Sequence, residues 1–246
     1  MSEIPELPLL GPDEWLEAVD KDESGETLQN PFNGFIPPPL VKGRCAFLGG
    51  PTGGGKTALG LQVYRENLTA GHKGAYITLE MTPADLFERF KRQFDSEEEC
   101  RQWIKDSDAK VTESYISPKE IELLIKKEGL DFVILDHIHE MPYIDRRDLE
   151  QEVARIAALA PAEGVAILAL AQLRRPDPQF PRPPSKHDFR ETGVIEQKGS
   201  VLLALYQEDE ESNYSQLYTL KNRFGPKYAP IDIKLDEKTV TFSRVW

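Results

Sequence analysis

The chain of 246 residues carries 42 acidic against 30 basic side chains, a net charge of −12, and is 39% hydrophobic. That length suits one large domain, or one domain with appendages, able to bury a core unaided. The acidic balance excludes a protein that wraps DNA with a basic surface and leaves room only for a restricted nucleic-acid channel. Cys45 and Cys100 are the only cysteines, which excludes a disulfide framework and a Cys-rich zinc site; free thiols are expected. No apolar run approaches the roughly 20 residues that span a bilayer. The acidic start Met1-Ser2-Glu3 is unlike a secretory signal. A soluble, cytoplasmic protein with no membrane partner is expected.

Residues 1–40 hold nine acids and a single lysine and end in Ile36-Pro37-Pro38-Pro39-Leu40. They read as an acidic, proline-rich arm, with a short amphipathic helix over 12–19 that places Trp15, Leu16 and Val19 on one side for docking. Residues 41–246 read as one domain in which strands and helices alternate. A short strand over 46–49 leads into a glycine-rich loop, a helix over 56–68 and a strand over 75–79. Thr82-Pro83 and Ser117-Pro118 each place an N-cap before a helix-initiating proline. Buried strands are expected over 132–135 and 165–171, with a helix over 149–159 between them. Five prolines within 176–184 mark a long loop. Strands over 201–206, 217–220, 231–235 and 240–242 close the chain. The class is α/β, a mainly parallel sheet flanked by helices, with antiparallel strands at the C-terminal end.

Gly50-Pro51-Thr52-Gly53-Gly54-Gly55-Lys56-Thr57 fits G-x-x-x-x-G-K-[ST]. Such glycines let backbone N–H groups turn inward to cradle phosphates. Lys56 is placed to reach the β- and γ-phosphates, Thr57 to ligate Mg²⁺, and the following helix presents its positive end. A magnesium nucleotide needs a second oxygen ligand at a neighbouring strand end, and Asp136 supplies it after Phe132-Val133-Ile134-Leu135. ATP and Mg²⁺ are therefore the expected ligands. Hydrolysis also needs a group to activate water. Many ATPases of this kind place a glutamate directly after the strand-end aspartate, but that position is His137. Glu80, at the end of the 75–79 strand, is the candidate instead, set against a plain polar strand end. Gln172, closing the 165–171 strand, is the candidate γ-phosphate sensor, with the same alternative open.

Together these segments resemble the ATPase domain of DnaB-type replicative helicases, within the RecA-like superfamily. The resemblance runs from about Pro38 to the C-terminus through residues 49–57, Thr78-Leu79-Glu80-Met81, Val133-Ile134-Leu135-Asp136 and Ala171-Gln172-Leu173, then residues 188–197 and Lys221-Asn222-Arg223-Phe224-Gly225. The stretch Asp188-Phe189-Arg190-Glu191-Thr192-Gly193-Val194-Ile195-Glu196-Gln197 is its most specific part. The resemblance implies a RecA-like core, Glu80 as catalytic glutamate and Gln172 as sensor. It also implies that Lys221 and Arg223 reach the ATP of an adjacent subunit, Arg223 as arginine finger. Arg190, Glu191 and Gly193 then fall in a loop that grips DNA phosphates. Arg174, Arg175, Arg182 and Lys186, in or beside the proline-rich loop, are read either as a second DNA-contacting loop or as solvated charge. The implied function is an ATP-dependent helicase that forms a ring, hexameric in the family, and moves on single-stranded DNA, with a primase or loader as further partner. Its setting would be a bacterial cell or a phage-infected host.

Only the acidic arm is expected ahead of the core, with no collar domain of the kind the family pattern has. The sequence also departs from that pattern in the polar run His137-Ile138-His139-Glu140, where two histidines without a third ligand make a poor metal site. Two other readings stay open: a recombination or regulatory ATPase that builds filaments, and a nucleotide-dependent switch that holds a replication partner through the acidic arm without unwinding.

Overall fold

The computed structural model describes residues 25–112, 116–141, 145–174, 182–189, 193–209 and 212–246, together with Pro12, Asp13 and Leu16. Trp15 and Val19, on which the expected docking helix depends, lie outside the described residues, as do Arg175, Arg190 and Glu191; Leu16 is exposed.

Among the described residues, nine strands form one sheet. In chain order the elements are β1 (Cys45–Gly50), α1 (Lys56–Thr69), β2 (Gly74–Thr78), α2 (Pro83–Phe90), α3 (Glu97–Asp106), β3 (Lys110–Val111), α4 (Pro118–Glu128), β4 (Phe132–Asp136), α5 (Arg146–Glu163), β5 (Ala166–Gln172), α6 (Gly193–Lys198), β6 (Val201–Tyr206), β7 (Tyr214–Asn222), β8 (Ile231–Asp236) and β9 (Thr241–Arg244). The sheet order is β3-β2-β4-β5-β1-β6-β7-β8-β9. Pairing is parallel from β3 to β6 and antiparallel from β6 to β9. Parallel strands need crossovers, and the helices that make them cover both faces, so the central strands are buried on both sides. Alternation along β1 and β5 sorts their side chains. Ala46, Leu48, Leu168 and Leu170 face the layer holding α1, while Cys45, Phe47, Ile167 and Ala169 face the layer of α4 and α5.

Local chemistry sets the helix ends. Thr82 Oγ1 accepts the Asp85 N–H, and Ser117 and Glu120 form a reciprocal capping box ahead of α4. The helix expected over 149–159 runs Arg146–Glu163, because the Asp145 carboxylate caps the Arg147 and Asp148 N–H groups one turn earlier. Three elements go beyond the sequence reading. In α3 only Cys100 is buried, which erases the apolar stripe; its start is nonetheless marked by Ser96, whose hydroxyl accepts the Glu99 N–H. The other two, β3 and α6, are only two and six residues long. Both cysteines are buried and free, and burial pushes their thiols up to about 12 for Cys45 and about 11 for Cys100.

The segment expected as an arm up to residue 40 packs on the domain from Gly25 onward. Leu28, Phe32, Ile36 and Leu40 join the core beneath α1, and Thr27 bridges Val41. Buried Asn67 of α1 clasps the Gln29 backbone from both sides, accepting its N–H at 2.8 Å and donating to its carbonyl at 3.2 Å. The reason is spacing: four apolar residues at intervals of four, among prolines and polar groups, anchor an irregular strap without needing a helix.

Candidate nucleotide site

The sheet register brings four strand ends to one level. Gly50 pairs with Gln172, Thr78 pairs with Asp136, and β4 and β5 are neighbours. The carboxyl ends of parallel strands, at the point where connections diverge, form the crevice in which open α/β sheets bind ligands. Here it receives the phosphate loop from β1, Asp136 from β4, Gln172 from β5 and Glu80 from the turn after β2.

The loop has the backbone its sequence calls for. Gly53 and Gly55 hold φ of +78° and +85°, where other residues are strained, and an added Cβ at Gly55 would lie 2.6 Å from the Phe242 ring. Gly55 is also the N-cap of α1, with no side-chain cap and no acidic residue in the first turn. The first N–H groups and the helix dipole are therefore left to an anion. Lys56 is buried, its ammonium donating to the Gly50 carbonyl at 3.2 Å and the Pro51 carbonyl at 2.7 Å, so the charge is held over the loop.

Asp136 is buried, and burial raises its carboxyl above the usual range; hydrogen bonds from Tyr76 and Thr57 pull the other way. The Tyr76 hydroxyl donates to Oδ2 at 2.7 Å, whereas Oδ1 is buried with no hydrogen-bond partner within 3.5 Å among the described residues. An unpaired buried carboxylate oxygen beside a threonine hydroxyl is a costly arrangement for the protein alone. It fits a divalent cation held by Thr57 and Asp136.

Glu80 stands at the lip of the crevice with its side chain 54% exposed, in a turn tied by Thr78, whose hydroxyl accepts the Met81 N–H and donates to the Met81 carbonyl. The Gln172 carboxamide lies 3.4 Å from Thr52 Oγ1 and 3.3 Å from His137 Nε2, and the Gln172 N–H donates to His139 Nδ1 at 3.2 Å. Thr52, Tyr76, His137 and His139 thus join the site. Thr52 belongs to the glycine motif and His137 and His139 to the polar run after Asp136, while Tyr76 is marked in the sequence only by its hydroxyl within a short buried strand.

The basic pair sits elsewhere. The Arg223 N–H bonds the Ser200 carbonyl and the Ser200 N–H bonds the Cys45 carbonyl, so Arg223 lies level with the first residue of β1. The phosphate loop leaves the last residue, Gly50, five residues or about 17 Å along the strand. Lys221 donates to the Glu196 and Gly199 carbonyls at 2.6 and 2.7 Å, and Arg223 to the Gln197 carbonyl at 2.7 Å. Burial, with Arg223 alongside, lowers the Lys221 pKa. Neither residue is near its own chain's phosphate loop.

Of the other expected contacts, Gly193 opens α6, and among the described residues nothing lies within 4 Å of the position its Cβ would take. Arg174 is exposed. Lys186 pairs with Glu196, and Arg182 forms a two-bond pair with Asp188 at 2.6 and 2.7 Å.

A family model described as the DnaB-like helicase C terminal domain matches residues 85–244. This chain belongs to that family. The match begins after the phosphate loop and Glu80, so the loop is an independent indication. Among DnaB-like relatives, a probable plasmid replicative DNA helicase of Chlamydia trachomatis is 24% identical over 240 residues, covering 84% of this chain and 52% of that protein. Replicative DNA helicase DnaB of Geobacillus stearothermophilus is 30% identical over 116 residues, 42% of this chain and 26% of that protein. The chain thus spans about half the length of the first of these, or less. Among solved structures, one described as an ATPase domain superposes with a TM-score of 0.76 at 18% identity, covering 94% of this chain and 96% of that one. A DnaB-like replicative helicase, described with its interactions with primase, gives the same TM-score and identity over 93% of this chain and 64% of that one. At that identity the likeness establishes the RecA-like DnaB fold.

Proposed function

We propose that this chain is the motor domain of a replicative DNA helicase, which hydrolyses ATP at subunit interfaces of a ring while moving on single-stranded DNA. The observation that carries this reading is the separation of the two half-sites. Lys56, Thr57, Asp136, Glu80 and Gln172 gather at the carboxyl ends of the strands, whereas Lys221 and Arg223 stand at the opposite end of the sheet. A head-to-tail contact between copies brings the two together, and a closed set of such contacts is a ring.

In this reading the loop N–H groups and Lys56 bind the ATP phosphates, and Gln172 meets the γ-phosphate. Glu80 takes a proton from the attacking water. Thr57 and Asp136 would hold Mg²⁺, which when bound neutralises phosphate charge. Arg223 of a neighbouring copy supplies the remaining positive charge, so hydrolysis depends on assembly. A net charge of −12 is compatible with DNA passing through the ring, because a few loop contacts per subunit to phosphates suffice. Arg190, Glu191 and Gly193 are the proposed contacts, with Arg174, Arg175 and Lys186 secondary. A primase or loader is the expected further partner, and the setting is a bacterial or phage-infected cytoplasm.

The test is steady-state ATP hydrolysis with and without single-stranded DNA, beside Glu80→Gln. DNA stimulation of at least about 10-fold, lost with a fall in kcat of about 100-fold or more in Glu80→Gln, supports the motor. Hydrolysis indifferent to DNA favours the nucleotide-dependent switch.

A further inference from the structure

The position after Asp136 holds an imidazole with its side chain only 4% exposed, at the meeting point of three elements. His137 Nε2 lies 3.3 Å from the Gln172 carboxamide at the end of β5 and 3.8 Å from Glu80 Oε2 after β2. Glu140 Oε1, in the short turn after β4, lies 4.0 Å away. His137 Nδ1 is buried without a partner among the described residues. Two carboxylates on the Nε2 side favour the proton on that nitrogen. Nδ1 then keeps only a lone pair, which is cheaper to leave unpaired than an N–H. A single N–H makes one well-aligned bond at a time. Turned by 180°, the Gln172 carboxamide offers its oxygen to that N–H and to the Thr52 hydroxyl. Because the Gln172 N–H is anchored on His139, its side chain moves while the strand stays.

We propose that His137 is a positioning residue that links the γ-phosphate sensor to the water-activating carboxylate. While the Gln172 carboxamide rests on His137 in the turned orientation, with its oxygen accepting, Nε2–H is engaged and Glu80 stands apart at 3.8 Å. When the Gln172 carboxamide turns to the γ-phosphate, Nε2–H passes to Glu80 and orients its carboxylate toward the attacking water. His137 keeps the same proton on the same atom throughout. The inference rests on the ATPase reading above and adds to it a reason why Glu80 acts only when the γ-phosphate is present.

The experiment compares wild type, Glu80→Gln, His137→Phe, His137→Gln and the double variant Glu80→Gln/His137→Phe. kcat and KM for ATP are measured with saturating single-stranded DNA, and each Tm is recorded. Phe keeps the ring volume without an N–H; Gln restores an N–H near the Nε2 position. The expected result is a kcat lower by at least about 10-fold in His137→Phe, with KM within about 2-fold. His137→Gln should recover most of that loss, and the double variant should be no slower than Glu80→Gln alone. Wild-type kcat in His137→Phe overturns the inference, as does an equal loss in Phe and Gln variants with raised KM, the mark of packing alone. If His137→Phe does not fold, the inference stands or falls on whether His137→Gln keeps KM and at least about half of wild-type kcat. Hydrolysis that Glu80→Gln abolishes but His137→Phe spares removes this inference and leaves the ATPase reading. A wild type without hydrolysis overturns both.

Discussion

The Tyr76 hydroxyl donates to Asp136 Oδ2, and together with Thr57 it offsets the burial that raises this carboxyl. Tyr76→Phe keeps the ring that packs against Tyr64 and removes that bond. The expected loss is about 1.5–3 kcal/mol of stability for a hydrogen bond to a charged group, with weaker binding of ATP in the presence of Mg²⁺. Thermal unfolding and nucleotide titration check it, and unchanged affinity would show that Tyr76 only packs. Gly55→Ala acts more severely, because the residue combines a φ of +85° with the Phe242 ring 2.6 Å from the position a Cβ would take. Fluorescent-nucleotide binding should fall below detection, while Gly71→Ala, also at positive φ but with open space around it, leaves binding intact.

At the scale of elements, the strap over residues 25–41 and the segment over 182–189 are each held by few groups, and so are testable. Phe32 is 4% exposed in the core beneath α1. Phe32→Ala should cost about 3–5 kcal/mol, read by chemical denaturation; a loss under about 1 kcal/mol would mean that the strap adds little to the domain. In the second segment the Arg182 guanidinium, with N–H and O–H groups of Ser185, holds the Asp188 carboxyl down to about 2 despite partial burial. A depressed carboxyl stabilises the folded form above its unfolded value of about 4. That contribution is lost as pH falls from about 4 to about 2. Asp188→Asn should therefore flatten the decline of Tm across that window. An identical acid profile in both proteins would remove the clamp from the account.

Across the whole molecule, the sheet separates the phosphate loop from Arg223, and the proposed catalysis becomes a property of an assembly. Arg223→Ala should leave nucleotide affinity within about 3-fold and lower kcat by about 1,000-fold or more, the range for arginine fingers. Mixing Arg223→Ala with Lys56→Ala chains should restore part of the activity, because each supplies the half the other lacks. Mixed assemblies as inactive as either parent would place the finger elsewhere.

Much of the fold is legible in the sequence. The spacing of glycines with Lys56 and Thr57 specifies a phosphate loop, and apolar runs ending in Asp136 and Gln172 specify buried parallel strands. Thr82-Pro83 and Ser117-Pro118 specify helix starts. Each is a short-range rule, in which neighbouring residues determine backbone geometry or burial. The packing of residues 25–40 under α1, the full length of α5 and the existence of α3 were not legible, because they depend on partners distant in sequence or on caps that override a weak apolar stripe. The same holds for the site. Lys56 and Thr57 are expected at one end of the sheet from the glycine motif, and Asp136, Glu80 and Gln172 from the strand ends, whereas Tyr76, His137 and His139 come near them only when β2, β4 and β5 lie side by side. Sequence alone determined which groups can carry charge and hydrogen bonds. Only tertiary structure decided which of them meet, because a contact between strands is set by register and crossover rather than by any local preference of the chain.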